Sequence, residues 1–146
     1  MLITPLPAGR IDEIFDLYAA FSEPADMRLP RSHATDLLER LRQQGGEIFV
    51  AEFADRLVGT YSFYLCPNLR RNGRSFGVIE NVVCLPDYRR RGIGRALMEH
   101  GIAQARANNC YKVMLATGMG RLENHAFYEA CGFRNDKRAY QIRFEA

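Results

Sequence analysis

Residues 79–95, IENVVCLPDYRRRGIGR, gather groups able to hold an anion. Arg89, Arg90, Arg91 and Arg95 supply positive charge, and Gly92-Ile93-Gly94 opens a helix after a turn at Leu85-Pro86-Asp87. The N-terminus of a helix leaves backbone N–H groups unpaired and carries partial positive charge, and glycine there lets a ligand approach the main chain. Phosphate is the ligand such a turn suits. The spacing argues against two common nucleotide patterns. A dinucleotide fingerprint needs a third glycine three residues after the second, where this chain has Leu97, and a Walker-type loop needs Gly-Lys-Ser/Thr after four spacers, which is missing.

The elements that must position this loop follow from periodicity. From Ile11, the residues Ile14, Phe15, Tyr18 and Phe21 recur at helical spacing, with Asp12, Glu13 and Asp16 in the first turns, as the macrodipole favours. Residues 22–30 hold two prolines and no period. Ala34, Leu37, Leu38 and Leu41 then predict a second helix that Gly45-Gly46 ends. Residues 47–53 and 57–65 are rich in β-branched and aromatic side chains and flank a turn at Ala54-Asp55-Arg56, so they read as an antiparallel hairpin. Residues 67–74, PNLRRNGR, break that pattern before a third strand over 75–84. After the glycine loop, Ile93, Ala96, Leu97, Gly101 and Ala105 line one helical face and Arg95, Glu99, Gln104 and Arg106 the other. Residues 111–117 alternate as a strand, 123–131 form a short helix closed by Gly132, and residues 138–144, RAYQIRF, alternate again and end the sheet. The order is two helices, three strands, helix, strand, helix, strand: an α/β (α+β) layer fold without an internal repeat.

A chain of 146 residues has the size of one domain, spanning 1–146. Hydrophobic content of 47% with 25% charged residues is that of a soluble globular protein. The opening residues lack the basic and long apolar regions of a signal peptide, and no run of about 18 apolar residues could cross a bilayer, so a cytoplasmic location without membrane contact is expected. Cys66, Cys84, Cys110 and Cys131 show no C-x-x-C pairing, and His33, His100 and His125 are scattered. Neither a disulfide framework nor a metal site is suggested. A net charge of +3, with arginines concentrated at Arg70, Arg71, Arg74 and at 89–95, suits a local anion site better than a nucleic-acid groove.

Arg89-x-x-Gly92-x-Gly94, directly after a strand and a Pro-containing turn, resembles the R/Q-x-x-G-x-G/A pyrophosphate loop of the GNAT superfamily of acetyl-CoA-dependent N-acetyltransferases. Residues 124–133, NHAFYEACGF, are similar to that family's closing signature, an aromatic pair followed by Glu and then Gly-Phe. The segment 79–83, Asn109-Cys110-Tyr111-Lys112 and Asn124 look like the glucosamine-6-phosphate N-acetyltransferase branch. In one respect the chain departs from the common pattern. Many members carry Asn seven residues before the tyrosine, where this chain has Arg121.

The resemblance implies the GNAT acyl-CoA fold, a mixed and mostly antiparallel central sheet flanked by helices. It implies that the third long strand splays from its neighbour, so that the main chain of Val82, Val83 and Cys84 meets the pantetheine arm of acetyl-CoA. Backbone donors from Arg90, Arg91, Gly92, Ile93 and Gly94 would meet the pyrophosphate, with charge from Arg89, Arg90, Arg91 and Arg95. Either Asn124 or Arg121 touches coenzyme A. Tyr128 takes the position of the family's usual general acid. Glu80, two residues before Val82 and expected on the same strand face, is the base candidate; a carboxylate of pKa ~4.3 is a poor base for an ammonium, so burial or a water relay must assist. His125 is a weaker base candidate, and Cys84 carries no motif for an acyl-enzyme.

The expected activity is direct transfer of an acetyl group from acetyl-CoA to a primary amine of a small molecule. An amino-sugar phosphate is favoured by the branch resemblance and by the arginine loop at 70–74; polyamines are disfavoured because no acidic cluster appears. The loop over residues 21–31 would border the acceptor pocket. The alternative is a non-catalytic acyl-CoA-binding sensor or regulatory module. A homodimer follows family habit.

Overall fold

A computed structural model describes residues 1–21 and 28–144. Its elements in chain order are β1 (Leu2–Pro5), α1 (Glu13–Tyr18), α2 (Arg31–Gln43), β2 (Glu47–Phe53), β3 (Arg56–Cys66), β4 (Phe76–Cys84), α3 (Ile93–Ala107), β5 (Val113–Met114) and α4 (Leu122–Ala130). The strands form one sheet in the order β1-β2-β3-β4-β5. The first four run antiparallel to their neighbours, and β5 is parallel to β4. The expected mixed, mostly antiparallel sheet flanked by helices is what the chain forms.

The hairpin between β2 and β3 turns on Ala54 and Asp55, with φ of 49° and 62°. Two left-handed residues in a two-residue loop give the twist that neighbouring antiparallel strands need. From Leu57 to Phe63, β3 is buried without interruption. Both sheet faces are covered there, so even its polar side chains, Thr60 and Ser62, are buried, Thr60 donating to the Phe49 carbonyl at 2.7 Å. One face packs α3 through a cluster that includes Phe49, Tyr61, Phe63, Ile79, Leu97 and Met98. The other packs α1 and α2 through Leu6, Ile14, Leu17, Leu38, Val50 and Val83. In the first cluster the Tyr61 hydroxyl lies 2.7 Å from His100 Nδ1, which satisfies the phenol where it is buried.

Three expectations are corrected. Residues 2–5 form a strand that hydropathy did not reveal, because four residues with two at intermediate burial carry too little period; β1 is held by register with β2, Leu2 opposite Glu52. The strand expected over 111–117 is confined to Val113–Met114, where β4 still lies beside it. Residues 138–144 are outside the sheet, and Tyr140, Ile142 and Phe144 are 88%, 81% and 91% exposed. Alternation gives them strand propensity, but propensity alone does not bring a segment into register with a sheet edge. Part of the expected acceptor-bordering loop, residues 22–27, lies outside the described residues. No helix among the described residues is long and apolar enough to cross a membrane.

Candidate active site

The site begins with a bulge. Thr60 pairs with Val83 and Ser62 with Glu80, so Tyr61 alone faces both Asn81 and Val82. Asn81 takes φ of 55°, a left-handed conformation that Asn tolerates better than most residues. The extra residue reverses the alternation of β4. Before it, Ile79 points into the α3 core and Glu80 shares a face with Ser62; after it, Val82 and Cys84 pack towards the α3 core, while Val83 is buried against α1 and α2. Glu80 and Val82 therefore lie on opposite faces, which corrects the expectation that they share one. The expectation failed because a regular period of two cannot survive an inserted αL residue.

A split lies alongside this bulge. Strand β5 pairs with β4 only at Gly77 with Val113 and Val78 with Met114. Among the described residues, β4 beyond Val78 has no strand on that side. The main chain there is open along the stretch that includes Val82 and Cys84. The Cys84 carbonyl, however, already accepts from Arg89 Nε at 3.2 Å, and the other end of that guanidinium reaches the Ala20 carbonyl at 3.5 Å. Arg89 thus ties the end of β4 to the end of α1 as well as adding charge.

The end of β4 feeds the glycine loop through a 3-10 turn at Pro86–Tyr88. Arg90 and Gly92 take φ of 60° and 81°, and Gly92 caps α3. The first helical bond runs from Ala96 N–H to the Gly92 carbonyl, 3.0 Å, so the N–H groups of Ile93, Gly94 and Arg95 precede any i−4 acceptor. Ile93 buries its side chain in the α3 core and can offer only its backbone. The Arg91 guanidinium stacks over the Tyr88 ring at 5.3 Å, with Arg56 at 5.7 Å from the same ring, and Arg95 pairs with Glu99 at 3.0 Å. The arginines are exposed at the rim, and their backbone and that of the glycines form an anion-binding turn.

Helix α4 packs on the α3 side of the sheet through Phe127 and Tyr128. A Cβ added to Gly94 would stand 3.2 Å from the Phe127 ring, so α4 approaches the glycine loop as closely as glycine allows. Tyr128 packs on the α3 core between Phe127 and Phe133, ring centroids 5.0 and 6.1 Å away. Burial, first, and the nearby ionisable groups of Cys131, Cys84 and Glu80 push its phenol up to about 12. Burial likewise pushes the Cys84 thiol up, against a smaller opposing pull from Arg89, so it is not activated as a nucleophile. Asn124 Nδ2 lies 3.4 Å from Thr117 Oγ1, and His125 Nε2 lies 2.9 Å from the Gly118 carbonyl. Asn124 and His125 thereby fix the loop before α4.

Glu80 is exposed on the other face. Its cross-strand partner Ser62 is buried and hydrogen-bonds Tyr18, whose phenol is raised by burial and lowered in part by that bond. Tyr18 and Ser62 were not singled out from the sequence. Only the β3–β4 register, which composition does not encode, places Ser62 beside Glu80.

The arginine loop is elsewhere. Arg70, Arg71 and Arg74 precede β4, whereas the glycine loop follows it, a separation of about 26 Å along a nine-residue strand. Arg74 donates to the Asn109 and Cys110 carbonyls at 3.2 and 2.9 Å, and Arg71 stacks over Tyr111 at 5.5 Å. The two guanidiniums fasten the β3–β4 loop to the turn before β5, so the expectation of an anion-facing loop near the acceptor gains no support.

The comparisons with known proteins agree with this geometry. The acetyltransferase (GNAT) family matches residues 11–133. A glucosamine 6-phosphate N-acetyltransferase of Trypanosoma brucei brucei is 35% identical over 105 residues, 70% of this chain and 69% of that protein. One of Arabidopsis thaliana is 29% identical over 101 residues, 66% of each. Among solved structures, a provisionally assigned acetyltransferase of Agrobacterium tumefaciens str. C58 is 38% identical and superposes with a TM-score of 0.91 over 99% of this chain and 100% of its own. With the family matched over most of its length, the chain belongs to the acetyltransferase (GNAT) family and is an acetyl-transferring enzyme.

Proposed function

We propose that this enzyme moves an acetyl group from acetyl-CoA directly to the primary amine of a small molecule, with an amino-sugar phosphate as the acceptor class. The observation that carries the reading is the split beside the bulge: an open stretch of β4 main chain that leads to unpaired helix N–H groups, with Tyr128 on one face and Glu80 on the other. An extended amide-bearing arm fits such an edge, and a pyrophosphate fits the Gly92–Gly94 turn. Bound there, acetyl-CoA supplies the activated acyl group.

The chain's own residues divide the remaining work. Main-chain groups of Val82 and its neighbours orient the arm, and backbone N–H groups of residues 90–95 neutralise phosphate charge. Tyr128 holds its proton at the phenol oxygen throughout the neutral range and is the proton donor at the split. Glu80, exposed beside Ser62 and Tyr18, takes the proton of the incoming ammonium through water. The acceptor thus enters from the α1–α2 face and the donor lies towards α3 and α4. The amino-sugar phosphate class rests on the names of the two curated relatives.

The test is thiol release from acetyl-CoA across amino-sugar phosphates, aminoglycosides, polyamines, amino acids and peptide N-termini. Amino-sugar phosphates are expected to give the highest turnover. Turnover confined to another class would reject the acceptor proposed. If coenzyme A also fails to raise the melting temperature, the donor site proposed is wrong.

A further inference from the structure

A cavity of about 330 Å³ lies at the end of the sheet away from the glycine loop. It is lined by Arg74 from the β3–β4 loop, by Ile102, Ala105 and Arg106 from the last turns of α3, and by residues 110–113 leading into β5. That volume falls in the range of small-molecule sites. Arg106 is in the last turn of a helix that Gly92 caps at its start, so the cavity stands about 20 Å along α3 from the glycine turn. Its α3 lining also puts it on the sheet face opposite Glu80. It is therefore distinct from both the coenzyme turn and the acceptor side.

The charge there has one sign. Residues 67–79 and 100–122, which supply every residue of the lining, contain no Asp or Glu. Among the described residues Arg71, Arg74, Arg106 and Lys112 form no ion pair, whereas Arg10, Arg42 and Arg95 each do. Local structure accounts for two of the four. Arg74 closes the turn before β5 by donating to the Asn109 and Cys110 carbonyls, and Arg106 suits the negative end of the α3 macrodipole. Lys112 and Arg71 need another reason. Both stand 5.5 Å from the centroid of the same ring, Tyr111, and like charges gathered on one ring repel. Arg71 also holds φ of 56°, a conformation strained for any residue but glycine.

We propose that this cavity is a second anion site, which takes a phosphoryl group, free or carried on a small molecule. Arg74, Arg106 and Lys112 hold its oxygens, and Arg71 adds charge beside Tyr111. A phosphate placed among cations from three separate segments removes their mutual repulsion, and Arg74 keeps the bonds that close the turn. A nucleic acid fits less well, because a net charge of +3 and one confined cavity give a polymer backbone no track to follow.

The test is a titration of the whole, isotope-labelled chain with sodium pyrophosphate at constant ionic strength, read by amide chemical shifts with and without excess coenzyme A. Saturable shifts at residues 74–77 and 105–113 are expected under both conditions. Shifts confined to residues 90–95 would leave the glycine loop as the anion site and overturn the proposal, whether or not coenzyme A binds there. The same shifts on adding sodium chloride alone would reduce the effect to screening and overturn it too. Arg106→Glu and Lys112→Glu change exposed side chains and should fold. Each is expected to weaken pyrophosphate binding by about tenfold or more, and unchanged affinity in both overturns the site. Inorganic phosphate and glucose 6-phosphate, which has no amine to acetylate, separate the two sources: equal affinity assigns the site to the free anion, and tighter binding of the ester assigns it to a phosphorylated metabolite. A DNA oligonucleotide that displaces both would overturn the small-ligand assignment.

Discussion

At the scale of single residues, chemistry depends on what burial does to a proton. Tyr128 is raised to about 12 because its phenolate would lose solvent among Phe127, Phe133 and the α3 core. Tyr128→Phe keeps that packing and removes only the hydroxyl. Turnover is expected to fall about 10²- to 10⁴-fold, the range for a lost general acid, while the rise in melting temperature on adding coenzyme A is retained. The same burial makes a stability statement. A folded pKa above the unfolded value of about 10 gives stability that is fully present below pH 10 and lost as pH rises towards 12. Wild type should therefore lose on the order of 2 kcal/mol more than Tyr128→Phe between those limits, checked by urea unfolding of both proteins across that range. Glu80 stands differently. Its exposed carboxylate can lose charge without a packing cost, so Glu80→Gln should lower kcat by about 10²-fold or more and leave the melting temperature unchanged. An unaltered kcat would remove it from the base role.

At the scale of elements, the bulge in β4 decides where both groups point. Asn81 holds φ of 55°, which glycine adopts without penalty and a β-branched residue adopts only with strain of about 1–3 kcal/mol. Asn81→Gly is expected to retain activity. Asn81→Val is expected to lower both stability and turnover, because a strand forced back to regular alternation would turn Glu80 or Val82 to the wrong face. Equal activity of the two variants would show that the bulge does not position the site. Gly92 acts on the neighbouring element. Its φ of 81° aims the first turn of α3, so Gly92→Ala should weaken coenzyme A binding. Thermal shift reads this directly: at a hundredfold excess over Kd a ligand stabilises by about 2.7 kcal/mol, several degrees for a chain of this size. The variant's shift should be smaller at the same concentration.

At the scale of the whole molecule, the sequence revealed what strong periods and turn chemistry encode. Helices α2 and α3, the β2–β3 hairpin and the strand into the glycine loop were legible because each repeats a pattern over seven residues or more. Strand β1 was not, since four residues take their structure from register with β2 alone. The order of motifs placed Arg89, Gly92 and Tyr128 around one region, but the face occupied by Glu80 required the bulge, and a bulge is a property of two strands together. Arg10 shows the same dependence on distant partners. Its guanidinium donates to Glu13 at 2.7 and 2.8 Å, to Glu52 at 2.7 Å and to the Asp55 carbonyl at 3.0 Å, joining α1 to β2 and to the hairpin turn. The hydrogen bond from Arg10 holds the Glu13 carboxyl below its usual range against the opposing effect of burial. A depressed carboxyl contributes stability that is present above its unfolded pKa and lost as pH falls through the folded one. Arg10→Met should therefore cost roughly 1–2 kcal/mol at neutral pH, modest because the ion pairs remain partly solvated. As pH falls below about 4.5, the gap between the two proteins should narrow, because protonation removes from the wild type the pairing that the variant already lacks. Chemical denaturation at neutral and acid pH measures both gaps, and a gap that does not narrow would assign Arg10 a packing role in place of a charge-pairing one.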